Sequence, residues 1–181
     1  NATVEDVLRL AFRESDEITA AMDALTDEMA RKPDDASLLK RYAQLETRLE
    51  ILGGYNRDFE IDRVCNGLEI PGAMRAQRFA LLSGGEKAFV AIALYFAILK
   101  VHPTPFCVMD EIEAALDDAN VTRYARYMRT LAGKTQFIVI THRRGTMEEA
   151  DVLYGVTMQE QGVSKILTIN LNDMAKELKI E

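Results

Sequence analysis

Four short runs hold the residues that could do chemistry. In Leu82-Ser83-Gly84-Gly85-Glu86-Lys87, Ser83 and Glu86 have the spacing of a capping box, so a helix starts here. Gly84 and Gly85 leave its first amides bare, and bare amides beside a serine hydroxyl at a helix N-terminus make an anion site. In Phe106-Cys107-Val108-Met109-Asp110-Glu111, two carboxylates follow directly on an apolar run that reads as a buried strand. They fall at its carboxyl end, where open α/β sheets bind ligands. Asp110 suits Mg²⁺, usually through the ion's waters, because a hard cation takes oxygen ligands. Glu111 is then placed to orient or deprotonate a water attacking a phosphate. The third run, Ala115-Leu116-Asp117-Asp118, sets Asp117 seven residues after Asp110. The fourth is Thr141-His142 at the end of the next strand, where His142 projects over the same sheet edge and could hydrogen-bond a terminal phosphate or the attacking water. Three of the runs also have a plainer reading, as a helix cap, acids closing a loop or capping the next helix, and a turn histidine. His102, beside Pro103, has only the plainer one.

The elements that must position these residues are legible from periodicity. Val4, Val7, Leu8, Ala11 and Phe12 recur at helical spacing, and Ile18, Met22, Leu25 and Met29 continue it. After a break at Lys32-Pro33-Asp34-Asp35, Leu38, Tyr42, Leu45, Leu49 and Leu52 repeat the seam, predicting two helices that fold back on each other and stop at Gly53-Gly54. A short helix is expected from about Asp58 to Gly67 with Phe59, Val64, Cys65 and Leu68 inward. Residues 71 to 82 read as a loop. Ser83 then opens an apolar helix to about Lys100, buried along Phe89, Ile92, Ala93, Phe96 and Leu99. Two short apolar runs, Phe106 to Met109 and Gln136 to Ile140, flank an amphipathic helix at Asp118 to Leu131, the pattern of a crossover joining parallel strands. Val152 to Met158 and Val163 to Ile169 predict a hairpin, followed by a last helix near Asn172 to Leu178. Arg143-Arg144 reads as a solvated turn.

Composition narrows the class of molecule. The 181 residues are 48% apolar and 28% charged, enough for a real core and unlike a disordered chain. Lys+Arg 22 against Asp+Glu 29 leaves −7, which disfavours nonspecific attraction to nucleic acid or anionic lipid. No apolar stretch reaches the length of a spanning helix and no charged-then-apolar leader opens the chain, so a cytoplasmic protein without membrane contact is expected. Cys65 and Cys107 sit among apolar neighbours and read as two reduced, buried thiols. The two histidines and two cysteines are too scattered to form a metal site by spacing.

Taken in order, the four runs resemble the second half of an ABC-type ATPase head, as its signature motif, Walker B, D-loop and switch histidine. From Leu81 to about Asn170 the chain is similar to the C-terminal head of a bacterial SMC chromosome-segregation ATPase, carried by Asp110-Glu111-Ile112-Glu113-Ala114-Ala115-Leu116-Asp117-Asp118, Gln136 through His142, and Ala150-Asp151-Val152-Leu153-Tyr154-Gly155. Transporter-type and ABC-F proteins would show Pro-Thr after the Walker B glutamate, where Ile112-Glu113 stands here. Residues 2 to 80, with Thr3-Val4-Glu5-Asp6-Val7-Leu8 and Val64-Cys65-Asn66-Gly67-Leu68, resemble instead the helical subdomain of ABC-F ATPases. Both families share Leu-Ser-Gly-Gly-Glu-Lys, which points to a recombined or engineered chain joined near Leu82 to Lys87, or to a natural SMC-like relative with a reduced arm.

The fold class expected is α/β: a partial P-loop ATPase head, residues 81 to 181, whose C-terminal lobe carries a mostly parallel sheet, preceded by a helical subdomain at residues 1 to 80 with an antiparallel helical hairpin. The resemblance implies Mg²⁺ and ATP. Ser83, Gly84, Gly85, Glu86 and Asp117 would bind nucleotide, with the signature residues acting across a dimer of heads; Asp110 would hold Mg²⁺ through water, and Glu111 and His142 would be catalytic. A complete site also requires Gly-x-x-x-x-Gly-Lys-Ser/Thr. Gly133-Lys134-Thr135 imitates its end, but Met128 occupies the first glycine's place and the tripeptide precedes a strand, so it reads as a turn. The implied partners are a lobe bearing Walker A, a second head, and DNA for an SMC parent. Two alternatives stand beside this reading: an ABC-F-like fragment acting on the ribosome, and an inactive scaffold that keeps the motifs.

Overall fold

A computed structural model describes residues 2–52 and 57–170. Helix α1 (Val4–Arg9) is opened by a capping box in which Thr3 Oγ1 accepts from the Asp6 amide and the Asp6 carboxylate accepts from the Thr3 amide. It runs through a 3-10 turn into α2 (Arg13–Arg31), which packs against α3 (Ala36–Ile51), started by the Asp35 carboxylate accepting from the Ser37 amide at 3.0 Å. Ile18, Met22, Leu25, Leu38 and Leu49 are buried along the expected seam. Helix α4 (Arg57–Gly67) presents Ile61, Val64 and Cys65 to the core. Phe59, expected inward, is largely exposed beneath the Arg63 guanidinium, because Ile61 takes the buried face. The expected Gly53-Gly54 stop and the last helix near Asn172 to Leu178 lie outside the described residues.

The segment expected as a loop contains α5 (Gly72–Arg75) and a 3-10 turn at Phe79–Leu81. It is pinned to the chain start, where the Val4 amide donates to Gln77 O and the Phe79 amide to Ala2 O, both at 3.0 Å. That joint sets the entry to α6 (Gly84–Val101), capped by Ser83 and buried along Phe89, Val90, Ile92, Ala93, Phe96, Ala97 and Leu99. One cluster of buried side chains runs from Val4 to Met128, on both sides of residue 80.

Strand β1 (Phe106–Asp110), α7 (Asp118–Leu131) and β2 (Gln136–Ile140) form the predicted crossover, with β1 and β2 parallel and Asp110 opposite Ile140. Behind the sheet, Phe96 of α6 stacks on Tyr124 at 5.9 Å and meets Tyr127 edge-on at 5.2 Å. Tyr124 donates its hydroxyl to Met109 Sδ at 3.2 Å, fastening α7 to β1. The expectation of a mostly parallel sheet is corrected: among the described residues the strands form two separate two-stranded sheets, the second being the antiparallel hairpin of β3 (Val152–Glu160) and β4 (Val163–Asn170). Among the described residues the helices cover one face of β1 and β2. Cys107 and Met109 are buried there, while Phe106, Val108, Ile138 and Ile140 stay roughly half exposed on the other. Parallel strands ordinarily bury both faces, so this open apolar face departs from the usual pattern. Cys65 and Cys107 are free and buried, and burial pushes the Cys65 thiol up to about 11. Among the described residues no helix is long and apolar enough to cross a membrane.

Candidate functional site

The site is built where β1 and β2 end side by side. Asp110 closes β1 as an exposed carboxylate. At Glu111 the chain turns out of the sheet in the left-handed region, φ 48°, while its amide still donates to Ile140 O at 2.9 Å. A non-glycine residue there costs about 1–2 kcal/mol of backbone energy. The turn is then tightened by the Ala114 amide donating to Glu111 O and the Leu116 amide to Glu113 O, at 3.0 and 2.9 Å. The result carries the Glu111 carboxylate to the segment after β2, where its Oε1 lies 3.0 Å from His142 Nδ1. A carboxylate accepts, so this contact selects the tautomer with the proton on Nδ1 and leaves Nε2 facing away. Both side chains are more than half exposed, so solvent screens the pair and it adds little to stability.

The start of α6 lies against the same turn. A Cβ at Gly85 would come within 3.1 Å of Ala115 O, so the second glycine is where the helix start meets the Ala115-Leu116-Asp117 run. Ser83 and Glu86 satisfy one another: the Ser83 amide and hydroxyl both donate to Glu86 Oε2, at 2.8 and 2.7 Å, and the Glu86 amide donates to Ser83 Oγ at 3.3 Å. The Ser83 hydroxyl, then its amide, hold the Glu86 carboxyl below its usual value. Asp117 serves α7 as its N-cap, accepting from the Asn120 amide at 2.8 Å. Asp110, Glu111 and His142 thus share one sheet end, with Gly85 and Ala115 in close approach beside it. Gly133-Lys134-Thr135 is a turn, as expected: both later amides return to Leu131 O, and the Thr135 hydroxyl donates to Thr104 O at 2.8 Å.

Sequence reasoning missed the residues beneath the pair. Glu113 is 1% exposed, and its Oε1 accepts from the Thr141 hydroxyl and from Thr146 Oγ1, the latter at 3.1 Å. Its Oε2 has no hydrogen-bond partner among the described residues. Burial, and then the nearness of Glu113, push the Tyr124 phenol well above its ordinary value. Arg143 is no solvated turn residue, since its guanidinium donates to Leu116 O at 3.0 Å and Asp118 Oδ1 at 2.9 Å. The available signal was a glutamate at 113 between two apolar-facing positions, Ile112 and Leu116, followed across the crossover by paired threonines. Among the described residues no three His, Cys, Asp or Glu side chains gather to hold a metal unaided. The exposed Asp110 carboxylate at the end of β1 is the kind of oxygen donor Mg²⁺ takes, since that ion keeps several waters and uses one or two carboxylates plus substrate phosphates.

Comparison with known proteins places this geometry. A family model described as RecF/RecN/SMC N terminal domain matches residues 6–165. The chromosome partition protein Smc of Bacillus subtilis (strain 168) is 48% identical over 159 residues, which is 84% of this chain and 13% of that protein. A structure from work on ATP-driven dimerization and DNA stimulated activation of SMC ATPases shares 46% identity over 57% of this chain and 63% of its own, with TM-score 0.50. The SmcHead bound to the C-winged helix domain of ScpA shares 32% identity over 76% of this chain and 48% of its own, with TM-score 0.60. The fold is that of an SMC-type head domain, mixed helix and strand, of which this chain represents a part. It spans 13% of the length of the Bacillus relative. The chain belongs to the RecF/RecN/SMC family.

Four expectations are corrected by these matches. Residues 6–165 match one family model without a break at Leu82 to Lys87, so neither an ABC-F origin for residues 2 to 80 nor a chimeric joint is supported, and the ribosome alternative goes with them. The cause is physical: apolar seams in a helical hairpin report amphipathic helices and are shared by unrelated families. The C-terminal label is also replaced, since the matching family is described as an N terminal domain. Motif order tells which part of a nucleotide site is present and carries no information on the segment's place in a longer parent.

Proposed function

We propose that this chain contributes the signature, Walker B, D-loop and switch-histidine part of an SMC-type chromosome partition ATPase head, with a Walker A lobe completing the nucleotide site. The observation that carries the reading is the Glu111 carboxylate held 3.0 Å from His142 Nδ1 at the end of parallel β1 and β2. Similarity of the fold to SMC heads supports it. ATP is the substrate. Asp110 would hold Mg²⁺ through waters, the ion neutralising phosphate charge when bound.

Glu111 takes a proton from the water that attacks the terminal phosphorus, so that the new P–O bond forms as the bond to ADP breaks. His142 donates from Nδ1 to Glu111, orienting the carboxylate. Ser83 and the amides of Gly84 and Gly85 meet the phosphates bound by an opposing head. Asp117, beside the Gly85 approach, joins the two sites. The open face of β1 and β2 receives the Walker A lobe, and ATP joins two heads until hydrolysis releases them. DNA is the proposed cargo of the whole protein, and ScpA-type binding is known of the SmcHead relative.

The test combines the purified chain with a separately made SMC lobe carrying Walker A. Mg²⁺-ATP binding is expected only in the combination. Glu111→Gln in that assembled head should keep ATP-dependent association while turnover falls about a hundredfold or more. Unchanged turnover would remove Glu111 from the chemistry.

A further inference from the structure

We infer that Glu113 is a positioning residue for the Glu111–His142 pair, its buried carboxylate clamping the segment after β2 to the turn after β1. The inference rests on the proposal that this pair is catalytic. Glu113 lies two residues beyond Glu111, yet its hydrogen bonds are made across the site, to Thr141 and Thr146. Thr141 directly precedes His142, and its hydroxyl also accepts from the Arg143 amide at 3.0 Å, so the backbone is held on both sides of the histidine. Arg143 returns the connection to Leu116 O and Asp118, closing a ring of contacts under the exposed pair.

Two physical points favour a geometric role. The pair itself is screened by solvent, whereas the Thr141 and Thr146 hydrogen bonds to Glu113 are made at a buried side chain, where low dielectric strengthens them. A buried acid is also a poor device for stability, since an apolar side chain of similar volume generally serves as well or better. Both threonine hydroxyls converge on Oε1 and Oε2 is left without a partner among the described residues.

Hydrogen exchange on the full chain tests the clamp without any nucleotide. The reporting amides are Glu111, bonded to Ile140 O, and Arg143, bonded to Thr141 Oγ1, with amides inside α6 as the global reference. Glu113→Ala should lower protection at the two reporters by about tenfold relative to α6, and Glu113→Gln, which keeps the accepting oxygen, should hold it within about threefold. Thr146→Val, which removes one donor to Glu113 at constant shape and leaves the acceptors of both reporters in place, should give the same local loss and serves if Glu113→Ala fails to fold. Uniform loss across the chain, or none at the reporters, overturns the clamp. In the head assembled with a Walker A lobe, Glu113→Ala should lower kcat about tenfold with KM unchanged, and Glu113→Gln should recover it. Unchanged kcat in a head where Glu111→Gln abolishes turnover overturns the positioning role while leaving the catalytic reading intact. Turnover surviving Glu111→Gln overturns the catalytic reading and with it the role of the clamp, whose existence the exchange data decide separately.

Discussion

Replacing Gly67 with alanine would drive α4 into α7. A Cβ at that position would sit 2.2 Å from Cε2 and 2.3 Å from Cδ2 of Tyr127. Carbon atoms rest at about 3.5 Å or more, so the ring would have to retreat by about 1.3 Å. It has nowhere to go: Tyr127 is buried, its ring meets Phe96 edge-on at 5.2 Å, and Phe96 is stacked in turn on Tyr124. Overpacking of this kind costs about 1–3 kcal/mol. The helix-propensity gain of alanine over glycine is about 1 kcal/mol in an interior and smaller at the last residue of a helix. The net expectation is a loss of about 1–2 kcal/mol, which at a urea m-value of about 2 kcal/mol/M lowers the midpoint by about 0.5–1 M. Urea unfolding followed by circular dichroism reads it directly. Tyr127→Leu removes the obstacle, so the double variant should be more stable than the sum of the single losses predicts, by about 1 kcal/mol. A Gly67→Ala chain as stable as the parent, or no coupling in the cycle, would refute the contact between α4 and α7.

Asp6, Asp35 and Glu86 are all held below their usual carboxylate values by capping partners: chiefly the Thr3 amide, the Ser37 hydroxyl and the Ser83 hydroxyl respectively. A depressed folded value gives stability that is fully present above the unfolded pKa, about 4, and is lost as pH falls through the folded value. Unfolding free energy measured from pH 7 downward should therefore fall below about pH 4, and Ser83→Ala should be less stable than the parent by a nearly constant amount between pH 5 and 7, the gap narrowing as pH falls below about 4. Arg75 joins α5 to α1 and α4, its Nε donating to Glu5 Oε2 at 2.8 Å and its Nη1 to Asp62 Oδ1 at 2.7 Å. Arg75→Ala should cost about 1–2 kcal/mol in the same urea assay, and Arg75→Lys, with one point charge in place of a fork, should recover less than half.

Much of the fold was legible because its signals are local. Ser83 with Glu86 marks a helix start that the structure reproduces, and the run Asp118–Leu131 has one amphipathic period from end to end. The parallel pairing of β1 and β2 followed from two apolar runs around a single crossover helix. Phe59 failed because hydrophobicity alone cannot choose between Phe59 and Ile61, which stand two positions apart on opposite sides of a helix turn. At the site, the meeting of Glu111 with His142 could be foreseen from their shared sheet edge. The buried ring of Glu113, Thr141, Thr146 and Arg143 could not, since its members join only once the crossover is closed and their residue types are ordinary for loops.

The left-handed turn at Glu111 sets stability and chemistry against each other at one residue. Glycine there would adopt φ 48° without penalty, and asparagine nearly so, while glutamate is among the side chains this backbone tolerates less well. A library of this chain screened for heat resistance alone should therefore drift toward glycine or asparagine at 111, gaining robustness as it discards the carboxylate beside His142. Stabilised versions meant to retain the site would have to freeze that position and seek their improvements elsewhere, at the helix caps and the core.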